Sequence, residues 1–141
     1  MSFNDTLNKL KTALQSNSAL SAFCTAKWSK ALTVERMYKH RVEISLDELP
    51  IILITRPHKK SGSTEEDHTV RLYFGFQQED RTLAQSEAIE FEELIENAVI
   101  ADRELDKTAL LVEPKDTITD EGYLHPTYFG VKDLEIEVAI T

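Results

Sequence analysis

Residues 49–57 read LPIILITRP, from Leu49 to Pro57. Isoleucine or leucine stands at every position from Ile51 to Ile54, so a strand here has no side that belongs to water. The run is too short for a typical helix and rich in β-branched side chains, which predicts a strand Ile51 to Thr55 covered on both faces. Pro50 suits the start of that strand, where a missing N–H is tolerated. Helices packed on a sheet cover one side only. Burying each such side chain is worth roughly 1.5–3 kcal/mol, so a bare second face forfeits a large part of this and leaves an adhesive patch. Two covers are open: another protein surface, which is the simpler, or the chain's own arm, residues 32–48.

The flanks of this strand supply the remaining elements. Upstream, Phe3, Leu7, Leu10 and Leu14 recur at helical spacing behind Ser2, a capping residue with Asp5 three places on. A second short helix, roughly 19–28, gathers Leu20, Phe23, Cys24 and Trp28 near one stripe. Val42, Ile44 and Leu46 alternate with polar residues and suggest a short strand or extended arm. Downstream, residues 56–68 (RPHKKSGSTEEDH) read as a long polar hairpin connection pivoting on Gly62. Val70, Leu72, Phe74 and Phe76 then alternate as a second strand. A long helix over about 83–101 has the stripe Ala84, Ala88, Phe91, Leu94 or Ile95, and Ala98, with Glu87, Glu90, Glu93 and Glu96 on its surface. Residues 109–112 form a short strand, and 115–126 read as a loop. A last strand, 131–140, puts Leu134, Ile136, Val138 and Ile140 inside. Its other side carries Asp133, Glu135, Glu137 and Ala139. The order predicts one α+β domain over residues 1–141, with a mainly antiparallel sheet of about four strands and helices on one face.

Apolar content of 41% and charged content of 29% place the chain among globular proteins and away from disordered or fibrous ones. The segment MSFNDTLNKLKTALQ has no apolar run of signal-peptide length, and no stretch reaches the roughly 18 apolar residues of a membrane span. Cys24 is the single cysteine, so no internal disulfide forms. Charge is unevenly spread. Residues 1–60 hold ten Lys/Arg against five Asp/Glu, a balance of +5; residues 61–141 hold six against twenty, a balance of −14. An average surface this acidic repels phosphates and argues against a nucleic-acid reader.

Catalytic patterns are sparse. The four glycines are too scattered for a phosphate-binding loop. His40, His58, His68 and His125 lack ligand spacing, and one cysteine makes no zinc cluster, so neither cofactor nor metal is expected. His58, His68 and Asp67 flank the hairpin and read as solvated. Cys24 reads as a small core residue rather than a nucleophile, with only Lys27 as a nearby cation. Arg56, Lys59 and Lys60 form a basic loop patch able to touch phosphates, offset by Glu65, Glu66 and Asp67 directly after it. An enzyme is not expected.

In the order of its motifs the chain resembles the tail-terminator (tail-completion) proteins of long-tailed bacteriophages and prophages. The features are the amphipathic helix Phe3 to Leu14, the Leu49-Pro50 step into an apolar strand, the polar hairpin 56–68 and the strand Val70 to Phe76. They continue with a long helix ending Ala98-Val99-Ile100-Ala101-Asp102, then a short strand, an acidic loop and a final alternating strand. Residues 32–48 look peculiar to this chain. So does Asp106-Lys107, where the family often has glycine. The resemblance implies a non-enzymatic virion protein, present in the host cytoplasm during assembly. Such proteins form a ring, usually hexameric, on the finished tail tube, stop tube polymerisation and offer the surface to which the head–tail connector attaches. DNA passes through the channel without specific binding. In that reading Lys59 and Lys60, at the hairpin tip, are interface candidates toward the tail tube or a neighbour, and Glu135, Glu137 or the series Glu87 to Glu96 face the lumen; the doubly covered strand itself makes Ile52 and Ile54 interface candidates. A stand-alone bacterial α+β binding protein acting as a dimer is the alternative.

Overall fold

A computed structural model of the chain describes residues 2–140. Helix α1 (Phe3–Gln15) starts where the Ser2 hydroxyl accepts the Asn4 N–H at 3.1 Å, and α2 (Ser18–Trp28) starts where the Asn17 side chain accepts from Leu20 at 2.9 Å. Three residues of strand follow, β1 (Thr33–Glu35). They are held in place by Gln15, whose side chain donates to the Leu32 carbonyl and accepts from the Val34 N–H. Strands β2 (Ile51–Ser61) and β3 (Glu65–Gln77) form a hairpin, α3 (Arg81–Ile100) crosses back, and β4 (Leu111–Thr119) and β5 (Thr127–Ala139) complete the fold. The sheet has five strands in the order β1-β2-β3-β5-β4, parallel at β1-β2 and antiparallel elsewhere. The fold is α+β with a mixed sheet and helices packed against it; the strand beyond the four expected is β1.

The two faces of β2 have different covers. Ile52 and Ile54 point into the helix-side core with Leu10, Leu14, Leu72 and Phe91. Ile51 and Leu53 point the other way and are 2% and 0% exposed in the single chain, packed with Leu49, Ile44, Tyr73 and Phe129. The expectation that another protein surface covers this strand is therefore corrected: the chain's own segment before β2 does so. Val42, Ile44 and Leu46 do not form a strand. The Glu43 carboxylate accepts the His40 N–H and the Glu48 carboxylate accepts the Ser45 N–H, closing two 3-10 turns, Arg41–Glu43 and Leu46–Glu48.

Of two expected loops, one is largely strand and the other partly so. Residues 56–61 and 65–68 continue the β2-β3 ladder, leaving a turn at 62–64 in which the Gly62 N–H reaches the Glu65 carbonyl at 2.9 Å. The register slips between Thr55 and His58, where Pro57 has no N–H to offer. Likewise β4 runs on to Thr119 with a slip past Pro114, a residue suited to this outermost strand. After α3 the backbone turns through Leu105, Asp106 and Lys107, all with positive φ (45°, 56° and 65°), so the left-handed geometry that favours glycine is carried by other residues. Asp102 steadies it by accepting the N–H groups of Glu104 and Asp106.

Candidate functional site

The face of the sheet away from the helices divides in two. At the β1 end the arm covers Ile51 and Leu53 and leaves a groove of about 320 Å³, lined by Tyr38, Arg41, Ile44, Tyr73, Ile118 and Phe129. The Tyr38 and Tyr73 rings meet edge-on at 5.1 Å. At the hairpin end the same face is acidic. Alternation along β3, β5 and β4 brings Glu65, Asp67, Glu135, Glu137 and Glu113 to one side.

The register puts like charges opposite each other: Asp67 faces Glu137, and Glu113 faces Glu135. Such pairs repel. Glu137 shows the effect. A hydrogen bond shared with the Glu65 carboxyl, partial burial and the charges of Glu65, Asp67 and Glu113 all hold its proton affinity above the ordinary carboxylate value. Compensation is partial. Lys115 lies 3.0 Å from Glu113, and the Thr69 hydroxyl donates to Glu135 at 3.3 Å. Next along, Arg71 grips Asp133 with two bonds of 2.8 and 3.2 Å, a neutral pair that bounds the acidic area.

The sequence-based candidates take separate places. Glu135 and Glu137 stand on this acidic face. Lys60 stands opposite Asp67 on it, whereas Lys59 stands opposite His68 and reaches Glu66 at 3.0 Å on the helix side. Both lysines are exposed on strand β2 rather than at a loop tip. Ile52 and Ile54, 0% and 3% exposed, are core residues whose side chains offer no contact surface, a correction to their expected place at an interface. The α3 glutamates do not form one solvated surface. Glu87 is buried and accepts from Trp28 Nε1 and Gln78 Nε2, and Glu96 lies 3.3 Å from Lys132.

Cys24 is buried, and burial pushes its thiol up to about 12, so it is protonated at neutral pH. The carboxylate of Asp120, beside the groove, is taken up by the backbone N–H groups of Gly122 and Phe129. Among the described residues no group of three or more His, Cys, Asp or Glu has an arrangement able to hold a metal, and no helix is long and apolar enough to cross a membrane.

Sequence reading missed Lys132, which is 1% exposed and bonded to Glu92 at 2.6 Å and to the Thr117 hydroxyl at 3.0 Å. Its signal was parity: Lys132 shares the inward phase of Leu134, Ile136 and Val138. The opposition of Asp67 to Glu137 had no sequence signal, since it depends on register across 70 residues of chain. No protein-family model matches the sequence, and comparison with curated proteins returns no match.

Proposed function

We propose that this chain is a non-enzymatic subunit of a phage-type tail terminator, acting as a ring on the end of a tail tube, with the acidic sheet face turned toward the channel. The observation that carries this reading is the carboxylate field of Glu65, Asp67, Glu113, Glu135 and Glu137, only partly offset by Lys60 and Lys115, with like charges directly opposed in the lone chain. A field of that sign keeps DNA phosphates from adhering while they pass. The α+β order and the motif series of the sequence support the same reading. The apolar strand β2 lends it nothing, because its own chain covers it. In this reading the exposed hairpin of β2 and β3, with Lys59 and Lys60, meets the tail-tube protein or a neighbouring subunit, and the opposite rim meets the head–tail connector. The protein then resides in the host cytoplasm during assembly and in the virion afterwards.

Electron micrographs of the purified chain mixed with tail tubes test the reading. Capped tube ends and tubes that stop elongating are expected. Tubes that remain open and continue to grow overturn it. The aromatic groove of Tyr38, Tyr73 and Phe129 favours the second reading, a stand-alone binding protein working as a dimer. A dimer that is stable across dilution and persists when tail tubes are added supports that reading over the ring.

A further inference from the structure

We infer that His68 is a proton-operated latch joining the N-terminus of α1 to the base of the β2-β3 hairpin, and that it releases the hairpin on acidification. The inference is independent of the ring reading. His68 is 2% exposed, although it sits among charged residues in the sequence. Its ring lies flat on Phe3 of α1, centroids 3.6 Å apart and planes 6° apart. Its Nδ1 is 3.3 Å from Arg56 Nη1 of β2, and its Nε2 is 3.3 Å from Glu66 Oε1 of β3. Arg56 also stands over the Phe3 ring at 6.0 Å. The contact thus ties three elements together beside the register slip at Thr55 to His58.

The geometry dictates the tautomer. A guanidinium only donates, so Nδ1 must present its lone pair to Arg56. The Glu66 carboxylate, held ionised chiefly by its hydrogen bond with Lys59, only accepts, so Nε2 carries the proton and donates. Neutral His68 satisfies both neighbours. A proton taken from solvent can bind only at Nδ1, where the new N–H meets the Arg56 N–H and a second positive charge. Arg56 must then leave, and the hairpin loses its tie at the point where its ladder is already broken.

The surrounding charges set the direction. Burial is the largest influence and disfavours the imidazolium; Arg56 and Lys59 of β2 act in the same sense, and Glu66 opposes them. Phe3 of α1 and Ile136, the β5 residue opposite, bring no charge, and Lys107 lines the adjoining cavity with Glu66. His68 therefore titrates below the ordinary histidine value of 6.5. Its stabilising contribution is fully present above that value and is lost as pH falls through the lowered one.

The test is imidazole 15N NMR with amide hydrogen exchange on the intact chain. The Nε2–H tautomer is expected near pH 8, with hairpin and first-turn α1 amides opening several-fold more near pH 5 after correction for intrinsic exchange. Arg56→Gln supplies an amide that rotates to face either form, so it should move the His68 titration upward and reduce the acid-linked opening, while burial keeps part of it. His68→Phe keeps the stack, does not titrate, and should open equally at both pH values. An Nδ1–H tautomer, an unchanged titration in Arg56→Gln, or acid opening that persists in His68→Phe overturns the latch.

Discussion

Lys132 brings an ammonium group into the layer between sheet and helix, at a position in β5 where its neighbours of the same phase are aliphatic. It is tolerated because three oxygens meet it: Glu92 at 2.6 Å, Glu96 at 3.3 Å and the Thr117 hydroxyl at 3.0 Å. The arrangement fixes β5 and β4 to α3 at one depth, which purely apolar contact does not specify. Lys132→Met leaves Glu92 without its cation, with only the Thr117 hydroxyl still donating to it at 3.0 Å. The expected cost is roughly 2–3 kcal/mol, below the roughly 3–5 kcal/mol of a fully buried pair because Glu92 is 17% exposed. Lys132→Met combined with Glu92→Met should recover most of that loss. Urea denaturation midpoints of the single and double variants measure both values.

Strand β2 decides what the isolated chain requires. With both faces covered internally, Leu53 is as much a core residue as Ile52, although the two point in opposite directions. Leu53→Ala should destabilise the lone chain by about 2–4 kcal/mol, as for a buried leucine elsewhere. A cost near zero in chemical denaturation of the monomer would mean that the arm does not pack there in solution. Ile52→Asp and Ile54→Asp act one step earlier, by placing a charge in the helix-side core. The run LPIILITRP made the double burial legible. The choice between its two covers was not, because the alternation of Val42, Ile44 and Leu46 does not mark a buried face: Val42 and Leu46 are exposed, and only Ile44 packs beneath. A period of two says which residues share a side, not what that side meets.

Across the whole molecule the charge is sorted by the sheet. The −14 balance of residues 61–141 was visible in the chain, but the gathering of Glu65, Asp67, Glu113, Glu135 and Glu137 at one end of one face depends on β3, β5 and β4 lying side by side. Glu137 stands at the centre of this field. Its proton affinity is raised in the fold, so its favourable contribution is present below the ordinary value of 4.5 and is lost as pH rises through the raised one. Glu137→Gln should therefore melt higher than the parent chain near neutral pH, with the gap closing as pH falls below the carboxylate range. Added salt should narrow the gap as well, because the repulsion runs through exposed charges. Melting curves across pH and salt check both trends; a gap that does not change with pH would place its origin in packing.

The chain alone determined the α+β class, the three helices with the Ser2 cap of the first, and the alternation that assigns each side chain of β3 and β5 to a face. These depend on spacing between near neighbours, which the sequence states directly. Only the tertiary structure decided that β1 adds a parallel edge strand, that the arm shelters Ile51 and Leu53, that Glu87 lies inside, that Lys132 meets Glu92 and Glu96, and that His68 is clasped by Phe3, Arg56 and Glu66. Each of these depends on which distant segments share a layer and in what register, and that is fixed by packing the whole chain at once rather than by any local preference.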